Sequence, residues 1–201
     1  ILTNDTPFSN IAVNCNKLVE NSSSKYIKFL FQDDVLEPQN LEKLVQTARK
    51  DTKIGLTFSK RSLSLVDKKK SVCLDIYNGC KDLHLNWTHI RDIQPGIDLL
   101  NDKKLFSSPI NKIGEPSNTL ILKDAFECVG GFDPKLKQLL DVDLWFKLLA
   151  RYNVAFVDEE LSVFRIHYNQ QSVKNIQNNR VQEEIIYILR KTILSDIFSK
   201  I

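Results

Sequence analysis

The 201-residue chain is 42% hydrophobic and 26% charged, the balance of an ordinary soluble globular domain. Its 28 basic and 25 acidic residues leave a net charge of +3, too small to indicate binding to nucleic acid, and we expect no such partner. No apolar run approaches the roughly 20 residues of a membrane-spanning helix, and the four scattered cysteines lack a Cys-x-x-Cys pair, which predicts free thiols in a reducing, cytoplasmic compartment.

Two adjacent aspartates, Asp33 and Asp34, follow a nearly continuous β-prone apolar run at 26–31. Pro38 then suits the first turn of a helix, because a missing N–H costs nothing there. The aspartates therefore lie at the carboxyl end of a predicted strand, where open α/β sheets bind ligands. Adjacent carboxylates repel each other, and a divalent cation is the usual reason to keep both ionised. A solvated turn, which also favours aspartate, is the alternative interpretation.

The next segment is strand-like at Ile54–Ser59 and again at Leu63–Val66. The basic run 68–70 follows it, which predicts a solvated hairpin tip, with contact to an anionic membrane surface as the minor alternative. The stretch from Leu74 to Ser108 carries little signal apart from a short helical pattern around Ile97–Leu100.

A buried strand is predicted at Ser117–Lys123, followed by a short helix at Asp124–Val129. Gly130 and Gly131 suit a left-handed ending for that helix.

An amphipathic helix is predicted over Leu139–Tyr152, with Asp141 and Asp143 in its first turn. Acidic residues there suit the helix dipole, and a general base is the functional alternative. Two strand-like runs follow, Val154–Val157 and Leu161–Ile166.

Taken in chain order, these segments resemble the inverting glycosyltransferases of family 2, which have the GT-A fold. The stretch YIKFLFQDDVLEP is similar to the family's strand and aspartate motif, and NKIGEPSNTLILKDAFECVGGFDPKL to its acceptor-side segment. The stretch LLDVDLWFKLLARYNVAFVDEELSVFRIH is similar to the helix that carries the catalytic base and the last core strands. The resemblance covers roughly residues 4–172, including a helix within 4–24, and implies an α/β fold with a mixed Rossmann-like sheet flanked by helices.

The resemblance also implies roles for individual residues. Asp34 would ligate a Mg²⁺ or Mn²⁺ ion that bridges the diphosphate of a nucleotide-sugar donor, and Asp33 would contact the donor ribose or the water shell of the metal. Asp141 would be the general base that takes the proton from the acceptor hydroxyl. Arg165 and His167 would close on the diphosphate, His167 as a phosphate contact or a further metal ligand.

The acceptor would be a sugar or a lipid-linked glycan, as in polysaccharide assembly, with Glu115 and Ser117 as candidate acceptor-binding residues. Asp143 points to another part of the helix surface than Asp141, and we expect it to cap the helix or face solvent. His167 has a surface loop position as its competing interpretation.

Three departures from the family pattern bear on these roles. Phe31 stands where many members carry a further aspartate, and Leu140 where many carry a glutamate. The β-α-β unit that begins family members has no counterpart, so we expect a GT-A domain at 1–172 that is incomplete at its N-terminus and has an exposed sheet edge. Two other functions stay open: a catalytically degenerate relative that binds a sugar nucleotide or a partner, and a sugar-phosphate nucleotidyltransferase.

The tail at 173–201 is predicted to form a C-terminal amphipathic helix, because its apolar residues follow one helical stripe. Packing on its own domain, a homodimer seam and contact with a membrane surface are three uses of such a stripe. The last of these would place the protein at the inner face of the plasma membrane.

Overall fold

A computed structural model describes residues 10–194, with side chains to residue 192, and they form a mixed sheet flanked by helices. The strands are β1 Tyr26–Ile27, β2 Val35–Leu36, β3 Ile54–Leu65, β4 Ile93–Pro95, β5 Thr119–Leu122 and β6 Asn153–Ile166. The α-helices are α1 Ile11–Glu20, α2 Asn40–Ala48, α3 Ser71–Cys80, α4 Gly96–Leu100, α5 Lys123–Cys128, α6 Leu140–Leu149, α7 Gln171–Gln177 and α8 Arg180–Leu194. Short 3₁₀ helices lie at Leu83–Asn86 and Pro116–Asn118.

The sheet has the strand order β1-β5-β3-β6-β2, and β4 also pairs with β6. The long strands β3 and β6 run parallel at its centre, and every other pairing in the described sheet is antiparallel. Their pairing extends from Ile54 opposite Asn153 to Leu65 opposite Ile166, with register shifts after Ile54 and around Lys60. The two chain directions in one sheet confirm the predicted mixed α/β architecture.

The alternation of side chains along a strand gives the sheet two packed faces. Leu56 and Phe58 of β3 belong to the large core that also contains most of α6. Leu120 and Leu161 face the other way and pack on Leu44 of α2. Each such fully buried aliphatic side chain contributes about 1.5–3 kcal/mol of transfer free energy.

The strand predictions need three corrections. Only Tyr26–Ile27 of the predicted run 26–31 pairs in the sheet, because the polypeptide after it bonds through side chains instead. Strands β3 and β6 are each continuous where two runs were predicted, since the polar residues between the runs stay in the β3–β6 pairing. The basic run 68–70 leads into α3 rather than a hairpin, because β3 pairs in parallel with the distant β6.

The predicted helices α5 and α6 are present, but the environment of one α6 residue, Asp143, differs from the prediction. α5 ends at Gly130 and Gly131, whose φ angles of 79° and 61° confirm the left-handed ending. Asp143 is 3% exposed and not on a solvated face, which corrects the expectation for this residue. Its carboxylate lies 3.0 Å from Lys147 Nζ and 2.7 Å from Lys191 Nζ, because α8 covers this side of α6.

The described part of the tail forms two helices, α7 and α8, separated at Asn179, which has a φ of 55°. Ile188 of α8 is fully buried in the large core, so this helix packs on its own domain. Residues 195–201 of the predicted tail helix, and residues 4–9 of the predicted first helix, lie outside the described residues. Among residues 10–194, no helix combines the length and the apolar content that crossing a bilayer requires.

Candidate active site

A cleft of about 1210 Å³ is lined by the loop after β1, the segment 106–111, the start of α6, the end of β6, and helices α7 and α8. Six of the residues predicted to form a site line this one cleft, although they are up to 134 positions apart in the chain: Asp33, Asp34, Glu115, Asp141, Arg165 and His167. The fold therefore brings six of the seven predicted site residues to one cleft, and the seventh, Ser117, is buried and does not line it.

The loop that carries Asp33 and Asp34 is anchored from below by Ser117. The Ser117 hydroxyl accepts the Phe31 N–H at 3.0 Å, and the Asp34 N–H closes a turn by donating to the Phe31 carbonyl at 3.1 Å. Lys28 Nζ donates to the carbonyls of Ser117 and Thr119, at 2.6 Å and 3.1 Å. Ser117 is only 2% exposed and supports the loop from behind the cleft surface.

The Asp34 side chain has a carboxylate oxygen without a hydrogen bond to any described residue. Its Oδ1 is buried and has no hydrogen-bond partner among the described residues. Burial raises the pKa of the Asp34 carboxyl to about 6, the Ser117 hydroxyl opposes that rise, and the nearby Glu115 carboxylate adds to it. Burial also lowers the pKa of the nearby Lys28 to about 7, so this lysine is a poor permanent counter-ion for Asp34.

Asp33 connects the loop to the end of β6. Arg165 Nε donates to the Asp33 carbonyl, and His167 Nε2 lies 3.3 Å from Asp33 Oδ2. The structure thus places Arg165 and His167 beside the aspartates and gives them contacts within the chain.

Asp141 lies at the start of α6, and both of its carboxylate oxygens are hydrogen-bonded. The side-chain amide of Asn111 donates to Oδ2 at 2.8 Å, and the Val142 N–H donates to Oδ1 at 2.8 Å. Burial raises the pKa of Asp141 to about 7, the Val142 N–H opposes this rise, and the charge of Glu115 adds to it. A carboxylate with a pKa near neutrality can both accept and release a proton at physiological pH.

Asn111 is a residue that the sequence predictions missed. Its Oδ1 accepts the N–H groups of Ile113 and Gly114, at 3.1 Å and 2.9 Å, so the side chain closes the turn and also holds Asp141. Trp145 Nε1 donates to the Gly114 carbonyl at 3.1 Å, which fixes the same turn to α6. An Asn three residues before a Gly, which has a φ of 112° here, is the available sequence signal for such a turn.

Glu115 lines the cleft and also forms an ion pair that was not predicted from the sequence. Arg61 of β3 donates to both Glu115 oxygens, with Nε–Oε2 at 2.6 Å and Nη2–Oε1 at 3.0 Å. The Arg61 side chain is 3% exposed and the Glu115 side chain 18% exposed. Glu115 therefore has a structural partner in addition to its predicted position on the acceptor side.

A divalent cation at this site would rely on few protein ligands. Within residues 10–194, no three His, Cys, Asp or Glu side chains converge as a metal site. Magnesium is commonly held by one or two carboxylates together with substrate phosphates, so the free Oδ1 of Asp34 fits a cation that arrives with a diphosphate.

No family model matches the chain. Among curated proteins, the uncharacterized protein MT1568 of Mycobacterium tuberculosis (strain CDC 1551 / Oshkosh) is 32% identical over 152 residues, which are 76% of this chain and 46% of the relative. An uncharacterized glycosyltransferase of Rickettsia prowazekii (strain Madrid E), RP339, is 27% identical over 173 residues, 86% of this chain and 48% of the relative. The chain thus spans about half the length of these relatives.

Solved structures with a similar fold include Staphylococcus aureus TarS 1-349 in complex with UDP-GlcNAc, with a TM-score of 0.59 at 9% identity. That match covers 84% of this chain and 42% of the TarS chain. The complex of TarS 1-349 with UDP matches with a TM-score of 0.53 at 10% identity, over 79% of this chain. At such identities the likeness concerns the fold, and it confirms the predicted GT-A-like α/β class.

Proposed function

We propose that this chain belongs to a glycosyltransferase that moves a sugar from a nucleotide-diphosphate donor to an acceptor hydroxyl, with inversion at the anomeric carbon. The observation that carries the proposal is the convergence of Asp34, Asp141 and Arg165 on one cleft. This reaction needs three groups: a carboxylate that binds the metal ion of the donor, a base that accepts the proton of the acceptor hydroxyl, and a positively charged side chain that binds the leaving diphosphate.

On the donor side, Asp34 is the proposed ligand of Mg²⁺ or Mn²⁺, and His167 a further ligand or a phosphate contact. Such a cation, when bound, would neutralise charge that develops on the leaving diphosphate. Arg165 would pair with a phosphate oxygen, for which a guanidinium is well suited. Asp33 would contact the donor ribose or the metal's water shell while its backbone carbonyl keeps Arg165 in place.

On the acceptor side, Asp141 is the proposed general base. Its raised pKa gives it the affinity for the proton of an attacking hydroxyl, and Asn111 holds its carboxylate in one orientation. The cleft wall beside it includes the exposed Phe106 and the partly exposed Ile110, which suit the apolar face of a sugar or of a lipid-linked glycan. A loose contact with a membrane surface would be compatible with the second acceptor.

The names of similar proteins support the same class of reaction. Two of the curated Rickettsia relatives are named as uncharacterized glycosyltransferases, and the TarS structures contain UDP or UDP-GlcNAc. A nucleotide-sugar donor is therefore the first ligand to test. The likeness does not extend to the identity of the base or the sugar.

The test is calorimetric titration of the full-length protein with UDP, GDP and TDP, in Mn²⁺, in Mg²⁺ and in chelator. Asp34→Ala is compared with Asp124→Ala, which removes an exposed carboxylate on α5 outside the cleft. We expect one nucleotide to bind with metal, and Asp34→Ala to abolish that binding while Asp124→Ala preserves it. The absence of binding in every condition would contradict the donor site.

Turnover is tested separately with Asp141→Asn, which removes the base and retains the shape of the side chain. We expect sugar transfer to fall by about 10²–10⁴-fold, the usual contribution of a positioned base, with nucleotide affinity unchanged. Nucleotide binding without transfer in the unsubstituted protein would favour a degenerate relative. Release of diphosphate from a nucleoside triphosphate and a sugar phosphate would favour a nucleotidyltransferase.

A further inference from the structure

Glu184 of α8 makes an unusual set of contacts at the edge of the cleft. Its side chain is buried, with 8% of the residue exposed. Oε1 accepts the Lys137 N–H at 2.8 Å, and Oε2 accepts the N–H groups of Gln138 at 2.9 Å and Leu139 at 2.8 Å. Three consecutive backbone N–H groups therefore donate to one carboxylate, which belongs to α8 and lies 45 residues after Leu139 in the chain.

These contacts lie immediately before the helix that carries Asp141. α6 begins after Leu139, whose own side chain provides no capping hydrogen bond. The first amide groups of a helix lack partners within it, and negative charge is favourable at that end of the helix dipole. Glu184 supplies negative charge at this end of α6 from outside the helix, and it accepts the N–H of Leu139, the N-cap residue, two residues before Asp141.

A second contact between α8 and α6 lies two helical turns further on. Lys191 Nζ is 2.7 Å from Asp143 Oδ1 and 2.7 Å from Asp133 Oδ2, and Asp143 also pairs with Lys147. Residues 184 and 191 are seven positions apart, which places them on the same side of α8. α8 therefore holds α6 at its start and along its first turn.

The neighbouring helix α7 adds to the same arrangement. Asn175 Nδ2 donates to the Gln138 side-chain carbonyl at 2.9 Å and lies 3.3 Å from the Lys137 carbonyl. The segment 137–139 consequently has its amide groups bound by α8 and a carbonyl bound by α7. Few degrees of freedom remain for the backbone that leads into Asp141.

We propose that Glu184 is the positioning residue for Asp141: by binding the amide groups of 137–139 it fixes where α6 begins and how the Asp141 carboxylate faces the acceptor. Glu184 does not touch the reacting atoms; it acts through the backbone amide groups, and its charge also adds to the rise of the Asp141 pKa. This role rests on the proposed function, in which Asp141 is the base. A displacement of about 1 Å at a reacting group can lower a rate by about 10²-fold.

The first test compares Glu184→Gln with Glu183→Gln in the full-length protein. Glu183 is the adjacent, exposed glutamate, so both variants remove one charge from α8 but only one removes the cap. A glutamine at 184 keeps the size of the side chain, yet its amide nitrogen would face backbone donors. We expect kcat to fall by about 10²-fold in Glu184→Gln, with the KM and the Kd for the donor within twofold, and Glu183→Gln to match the unsubstituted protein.

The second test is amide hydrogen exchange, which does not depend on activity. The amide groups of Lys137, Gln138 and Leu139 should be protected in the unsubstituted protein and in Glu183→Gln, and exchange at least tenfold faster in Glu184→Gln. Core amides of β3 and β6 should exchange equally in all three, which separates loss of the cap from loss of the fold.

The outcomes are distinguishable. An unchanged kcat in Glu184→Gln, or unprotected amides at 137–139 in the unsubstituted protein, would overturn the proposal. A fall in donor affinity equal to the fall in kcat would assign Glu184 a general structural role instead, and would also overturn it. If the unsubstituted protein transfers no sugar, the proposed function fails, and the exchange rates still decide whether Glu184 holds this segment.

Discussion

Asn111 and Asp141 form a hydrogen-bonded pair on the cleft wall, with the Asn111 amide nitrogen 2.8 Å from Asp141 Oδ2. The same Asn111 side chain closes its own turn through Ile113 and Gly114. The orientation of the Asp141 carboxylate therefore depends on a turn 30 residues away in the chain. Substitution of Asn111, like substitution of Asp141, is therefore a test of the proposed base.

Substitution of Asn111 by Ala should impair transfer more than binding. The variant loses the hydrogen bond to Asp141 and three hydrogen bonds of the turn, two from the Ile113 and Gly114 N–H groups and one to the Gly114 carbonyl. We expect kcat to decrease by about 10–100-fold while the Kd for the nucleotide-sugar donor stays within twofold. Steady-state kinetics and nucleotide titration measure the two effects. Asn178→Ala, at an exposed position after α7, is the control and should have normal kinetics. Equal kinetics in both variants would show that Asn111 has no part in orienting the base.

The pH dependence of transfer should report the Asp141 carboxyl, whose pKa burial raises to about 7. A general base works in its deprotonated form, so the rate should fall about tenfold per pH unit below 7 and level off above about pH 8. The measurement is kcat between pH 5.5 and 9 at saturating donor and metal, because kcat/KM would also include the weaker donor binding expected below pH 6. A rate that stays constant from pH 9 down to pH 5.5, as expected of an ordinary aspartate with a pKa near 4, would mean that the environment of Asp141 does not control the reaction.

Much of this arrangement could be predicted from the sequence, because its signals are local. The signals are two adjacent aspartates after a β-prone run and an acidic first turn of an amphipathic helix, and each depends only on neighbours in the chain. The helices that follow these signals, α2 and α6, lie near their predicted positions. The two glycines that end α5 were predictable for the same reason, since a left-handed backbone favours glycine.

The parts that the sequence did not predict depend on contacts between distant segments. The Arg61–Glu115 pair, the burial of Asp143 and the contacts of Glu184 each join residues at least 45 positions apart. Charged side chains give no periodic signal when a later helix covers them. Asp143 was expected to cap the helix or face solvent, and the solvent alternative was wrong for this reason, because Lys191 of α8 pairs with its carboxylate.

Metal-dependent nucleotide binding should weaken at mildly acidic pH. Burial raises the pKa of Asp34 to about 6, and protonation below that value removes the proposed metal ligand. We expect Kd in Mn²⁺ to rise about tenfold per unit below pH 6 and to be constant between pH 7 and 8. Titrations at pH 5, 6, 7 and 8 measure this, with binding in chelator as the reference. A Kd that does not change between pH 5 and 8 would remove Asp34 from the metal site.

Glu115→Ala should destabilise the fold, because among the described residues it leaves the buried Arg61 guanidinium with one hydrogen-bond partner, the Cys80 carbonyl 3.0 Å from Nη1, and with the ring of Phe164. Breaking a buried ion pair from one side costs about 3–5 kcal/mol. For a domain of this size that corresponds to a decrease in Tm of roughly 10 °C.

Thermal denaturation of Glu115→Ala and Glu159→Ala tests this expectation. Glu159 pairs with Lys43 at the surface, where loss of an ion pair costs less than about 1 kcal/mol, so its variant should melt close to the unsubstituted protein. If Glu115→Ala keeps its Tm and raises only the acceptor KM, the main role of Glu115 is acceptor binding. A fall in Tm with normal acceptor affinity in the remaining folded protein would instead assign Glu115 to the scaffold of the site.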